Sequence, residues 1–108
     1  MMPRHFRARM RVRTTDEGGR KIGIYLKDYR PDLVFDFDPK WWRGAYLVPD
    51  PPVSDFDDTK VDLGESREVD FGLRYPEQVI SQLQPGVAFR MMEGSIPVAD
   101  CVITTVYQ

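Results

Sequence analysis

Phe6-Arg7-Ala8-Arg9-Met10-Arg11-Val12-Arg13 alternates without a break, with Phe6, Ala8, Met10 and Val12 on one side and four arginines on the other. Successive side chains of an extended chain point to opposite faces, so a period of two marks a strand with one face in a core and one in water. A helix would scatter the same arginines around its circumference. The stretch is a half-buried strand, and the rest of the chain can be read outward from it.

The same period recurs downstream. Ile22 to Leu26 reads as a short extended piece. Leu33, Phe35 and Phe37 alternate with Asp32, Val34, Asp36 and Asp38, behind a Pro31 that blocks helix and suits a strand start. Trp42 to Val48 forms another strand, ended by Pro49, Pro51 and Pro52, and residues 49–66 read as a long acidic, proline-rich loop. Arg67 to Tyr75 alternates again, with Val69, Phe71, Leu73 and Tyr75 expected inside. Pro76 stops it, and Glu77 to Leu83 has room for a helical turn at most. Val87, Phe89 and Met91 follow Pro85-Gly86, and Val98 to Tyr107 is rich in β-branched residues. Six strands beside the short 22–26 piece, with almost no helical pattern, predict an all-β barrel or sandwich.

Composition narrows the class. A chain of 108 residues makes one domain, 1–108, and is long enough to bury a core without staples. With 42% hydrophobic and 30% charged residues it is not a disordered chain. The net charge of −2 gives no global polycation. Cys101 is the only cysteine, which excludes an internal disulfide and fits a reducing compartment. No apolar run approaches the roughly 20 residues of a membrane span, and the arginine-rich start lacks a signal core. A cytoplasmic protein with no membrane partner is expected. The balanced total hides a segregation, because the first thirty residues are strongly basic and residues 31–70 strongly acidic.

Two sequence motifs carry a resemblance. The turn Asp16-Glu17-Gly18-Gly19-Arg20, followed by Tyr29-Arg30-Pro31, resembles the C-terminal β-barrel (domain III) of bacterial elongation factor Tu, which also enters a phenylalanine-rich strand after that motif. Leu83-Gln84-Pro85-Gly86 and Phe89 to Gly94 are similar to the closing hairpin of that family. The likeness covers about residues 5–38 and 67–107 and leaves 39–66 unmatched. It implies a six-stranded antiparallel Greek-key barrel that works by binding: in the family it touches tRNA, an exchange factor and the GTPase domain. Arg20 matches an RNA-contacting position. Asp32 and Ser95 stand where the family has glutamine and a second glycine. The chain has no Gly-x-x-x-x-Gly-Lys-Ser/Thr loop, so no nucleotide and no GTP hydrolysis are expected.

The candidate binding residues are Arg7, Arg9, Arg11, Arg20, Arg30, Trp41 and Trp42. Four arginines about 7 Å apart repel one another unless something compensates. Either Asp32, Asp36, Asp38, Glu68 or Asp70 forms a cross-strand ladder with them, or the stripe meets phosphate or an acidic partner. Consecutive strand residues face opposite ways, so one of Trp41 and Trp42 must look outward. There it serves as an interface anchor or base-stacking platform, or lies under the 49–66 loop. Val98, Val102 and Val106 together on the outer face of the last strand would favour self-association or a protein partner.

No other constellation points to chemistry. The carboxylates Asp55, Asp57, Asp58 and Asp62 lack the glycine and glutamate of a calcium loop, since Lys60 and Ser66 hold those positions. His5 has no second histidine and reads as a frayed terminal residue, and Cys101 reads as a buried thiol. No cofactor, metal or catalytic group is expected. The function that follows is a non-catalytic protein-interaction module, with RNA binding through Arg7, Arg9, Arg11 and Arg20 as the alternative.

Overall fold

The computed structural model describes residues 3–49 and 55–107. Its strands are β1 (Phe6–Val12), β2 (Ile24–Tyr25), β3 (Asp32–Phe35), β4 (Arg43–Val48), β5 (Lys60–Val61), β6 (Ser66–Leu73), β7 (Ala88–Glu93) and β8 (Ile96–Val106). Six of them close a barrel in the order β1-β6-β4-β3-β7-β8, with β8 returning to β1, and every neighbouring pair is antiparallel. The all-β fold and the barrel therefore stand. Among the described residues no helix exceeds a single 3-10 turn, as at Pro76–Gln78 and Ile80–Gln82.

The alternation read from β1 is the packing of the core. Phe6, Ala8, Met10 and Val12 are fully buried. Register places Phe6 opposite Phe71 and Phe35 opposite Phe89, so four phenylalanines meet on the barrel axis. Phe6 and Phe71 stack at 5.2 Å, and Phe89 meets both edge-on at 5.5 and 5.3 Å. Offset and edge-to-face rings add to the area term that dominates barrel stability. Ala8, fully buried, pairs with Val69 on β6 and Ile103 on β8.

The 49–66 segment is more ordered than a loop. Residues 50–54 lie outside the described residues, but Lys60–Val61 pairs with Ile24–Tyr25 as a two-stranded ribbon. Ile24 and Val61 both reach the core. Two residues per strand leave no alternation for a sequence reading to detect.

Two β-bulges overturn the expected valine face of β8. Arg7 pairs Thr105 and Ala8 pairs Ile103, so Thr104 is the extra residue. Met91 pairs Ala99 and Met92 pairs Pro97, so Val98 is the second. Each bulge shifts the inside–outside phase by one residue. Val98 is consequently fully buried, Val106 packs against the core, and only Val102 remains exposed.

Other boundaries also move. β3 ends at Phe35, and the chain turns at Asp36–Asp38, where Asp38 N–H donates to Phe35 O at 3.0 Å. β4 begins at Arg43, one residue later than expected. β6 ends at Leu73, which leaves Tyr75 exposed and not inside. His5 is held: its N–H donates to Phe71 O, and its Nδ1 accepts the Leu73 N–H at 2.9 Å.

Candidate functional site

The arginine face of β1 is largely closed on itself. Asp70 lies opposite Arg7 on β6, and its carboxylate has no exposed surface. It accepts from Arg7 Nε at 2.9 Å, Arg4 Nη1 at 2.8 Å and the Tyr107 hydroxyl at 2.7 Å. Burial by itself would raise the Asp70 carboxyl; the hydrogen bonds from Arg7, Tyr107 and Arg4 outweigh it and hold the group below its ordinary value. Arg11 bonds Glu17 at 2.9 Å, and Arg13 forms a two-pronged pair with Asp100 at 2.7 and 2.8 Å. Of the five carboxylates expected to neutralise the stripe, only Asp70 pairs with it. Asp38 pairs with Arg43 instead, while the turn residue Glu17 and the β8 residue Asp100 supply the other charges.

Arg9 is the exception. It is exposed and makes no ion pair among the described residues. Its β6 neighbour Glu68 instead accepts from the Thr104 hydroxyl at 3.1 Å, and its β8 neighbour is Val102.

Arg20 is also engaged. The turn before it is stiff, because Thr14 and Glu17 cap each other's backbone and Gly18 adopts φ 87°, which a side chain would strain. Arg20 Nη1 and the Tyr29 hydroxyl both donate to the Glu93 carboxylate. The Arg20 guanidinium also lies 5.8 Å from the Tyr29 ring centroid. Burial, reinforced by Glu93, pushes the Tyr29 hydroxyl well above its ordinary value. Arg20, Tyr29 and Glu93 come from the glycine turn, the tyrosine-arginine-proline motif and the closing hairpin. One small cluster thus ties the three together.

A different surface gathers the unengaged groups. The approach to β3, the start of β4 and the exit of β6 bound two adjoining clefts of about 180 and about 270 Å³. Asp32, Gly44 and Arg74 line both; Trp42, Arg43, Tyr75 and Gln78 line the first, and Arg30 the second. Neither tryptophan belongs to a strand or lies beneath a described part of the 49–66 segment. Trp41 is 63% exposed, Trp42 46% and Tyr75 56%. Arg30 and Arg74 are exposed and make no ion pair among the described residues. Arg74 leans over the Tyr75 ring at 5.9 Å and across Gly44, whose hydrogen leaves room for it.

Arg43 fixes the turn that carries the tryptophans. Its Nη2 donates to Asp38 at 2.9 Å and its Nη1 to Gln78 at 2.7 Å, while its Nε is buried with no acceptor. A buried unpaired donor costs about 1–3 kcal/mol, so its presence beside a cleft is worth noting.

Of the seven candidate residues, the structure brings Trp42 and Arg30 to two adjoining clefts that share Asp32, Gly44 and Arg74, with Trp41 next to Trp42 in the chain. It separates them from Arg7, Arg9, Arg11 and Arg20. Arg43 adjoins Trp42 in the sequence, whereas Arg74 and Gln78 carry no sequence signal and Tyr75 is expected inside, because they lie in segments that only the barrel closure joins to it. The chain matches no protein-family model and no curated protein.

Proposed function

We propose that the chain is a non-catalytic docking module that binds a protein partner through the surface around Trp42, with Trp41, Tyr75, Arg30 and Arg74 contributing. The carrying observation is the concentration of exposed tryptophan, tyrosine and unpaired arginine at one end of the barrel. These are the three residue types that dominate interface hot spots. Nothing elsewhere among the described residues combines them.

The finer fold assignment belongs to the same proposal. β3, β4 and β6 run as consecutive neighbours and β1 returns beside β6, which is the order expected of a Greek key. The convergence of Arg20, Tyr29 and Glu93 gives the quoted motifs a shared structural reason, as a barrel of the elongation factor Tu domain III type would require. The buried free thiol of Cys101 suits a reducing cytoplasm.

RNA binding is the second reading, and Arg9 is the observation that favours it, as the one arginine of the stripe left exposed and without an ion pair among the described residues. Tagged wild-type, Trp42→Ala and Arg9→Ala chains serve as bait in lysate, with and without nuclease. A docking module keeps its captured protein after nuclease and loses it in Trp42→Ala. Capture abolished by nuclease and by Arg9→Ala would replace this reading with the RNA one.

A further inference from the structure

Resting on that docking reading, we infer that the cleft between β3, β4 and the exit of β6 receives an acidic peptide segment that also carries an apolar side chain. Charge is the first argument. Arg7, Arg11, Arg13, Arg20, Arg43 and Arg67 each have a carboxylate partner in the fold. Arg30 and Arg74 have none among the described residues, yet they flank one depression on a chain of net charge −2. Two arginines that line one depression without an ion pair among the described residues suit carboxylates, which a guanidinium binds in a two-pronged fashion.

The chemistry of the walls selects a peptide. Asp32 lines both clefts beside Arg74. A run of phosphates offers it no proton, whereas a peptide brings backbone N–H groups alongside its acidic side chains. Trp42 and Tyr75 supply an apolar wall for one larger side chain. Arg43 adds a buried Nε that lacks an acceptor, which an entering carbonyl or carboxylate would satisfy after a small side-chain shift. Both depressions are shallow and below the usual size of an enclosed small-molecule site, so a few residues of extended chain fit them better than a buried metabolite.

The test is selection of a random peptide library displayed on phage against the full chain. The winning peptide is then made and its affinity measured. Enriched peptides should be acidic and carry an aromatic or aliphatic residue. Arg30→Glu and Arg74→Glu should each weaken the winner by about tenfold or more, as loss of a charge pair at a desolvated site does. Lys21→Glu, away from the cleft, should leave it unchanged. Replacing the peptide's acidic residues with lysine should restore binding to Arg74→Glu, which also answers any concern that the variant is misfolded. Enrichment of neutral or basic peptides that still need Trp42 would overturn the acidic partner while leaving protein docking intact. No enrichment, together with oligouridine binding that Arg74→Glu abolishes, would overturn both.

Discussion

The outer face of β1 and the rim of the β3–β4–β6 cleft carry the same side chain in opposite circumstances. On β1, Arg7, Arg11 and Arg13 meet carboxylates supplied by β6, by the turn at Thr15–Glu17 and by β8. At the clefts, Arg74 meets the Tyr75 ring and Gly44, Arg30 and Arg74 share a depression with Asp32, and neither makes an ion pair among the described residues. An arginine becomes a binding group only when the fold withholds its counterion. Its strand's charge pattern does not decide that; its neighbours in space do.

Removing the centre of the closed face should give the largest effect. Asp70→Ala strips one carboxylate from Arg4, Arg7 and Tyr107 at once and so unties the first strand from residues after the last one. Breaking a fully buried pair costs about 3–5 kcal/mol, but these arginines remain partly hydrated, so a loss of about 2–3 kcal/mol in urea unfolding is expected. A loss under about 1 kcal/mol would mean that water replaces Asp70 and that the two faces differ little.

Acid should dismantle the same region in two stages. His5 accepts the Leu73 N–H, and burial lowers its imidazole below the ordinary 6.5. The unfolded chain therefore takes up this proton first, so the contribution is intact above 6.5 and fades as pH falls through the lowered folded value. Asp70 is also lowered, from 3.8, so its share is present above that pH and is lost as pH drops through the folded value. Urea midpoints measured across pH 7 to 3 should fall in both windows for the wild type. Asp70→Asn should lose the Asp70 share of the lower fall and keep the upper one, with Glu17 and Glu65, both held below their ordinary values by backbone and arginine hydrogen bonds, leaving a smaller acid loss.

The cleft should respond the opposite way. Trp42→Ala removes an exposed ring, so stability should change by no more than about 1 kcal/mol while partner capture is lost. Thermal unfolding beside capture separates the two readouts. A Tm drop as large as that of Asp70→Ala would make Trp42 a structural residue.

Legibility in the sequence follows the range of the physics. Strands near 6–13, 33–38 and 67–75 are legible because Phe6, Leu33, Phe35, Val69 and Phe71 recur at every second position, although β3 stops at Phe35, β6 stops at Leu73, and Val34 and Asp70 on the outward phase are buried as well. The valine face on β8 failed because a bulge at Val98 and another at Thr104 reset that period, and nothing local announces an extra residue. His5 was misread because its acceptor role depends on Leu73, far along the chain. The exposure of a tryptophan at 41–42 is legible in the sequence, but Arg74 and Tyr75 come near only through closure of β4 against β6. Asp70 was picked from its outward phase, whereas Glu17 and Asp100 required knowledge of which loop and strand flank β1.

Arg9 sharpens the comparison most, although its expected effect is the smallest. It sits in the middle of the closed face yet shares the condition of the cleft arginines, exposed and without an ion pair among the described residues. If the counterion rule were sufficient, Arg9 would be a binding group. It has Val102 on one side and, on the other, Glu68, which is engaged by Thr104. A lone exposed guanidinium contributes about one phosphate contact, too little to hold RNA at physiological salt. Arg9→Ala should therefore leave stability within about 0.5 kcal/mol and leave peptide capture unchanged. Binding of a short oligouridine should be undetectable before and after the substitution at physiological salt. Micromolar binding that disappears in Arg9→Ala, with a steep salt dependence, would show that the β1 face is a second functional surface and that its ion pairs open to admit phosphate.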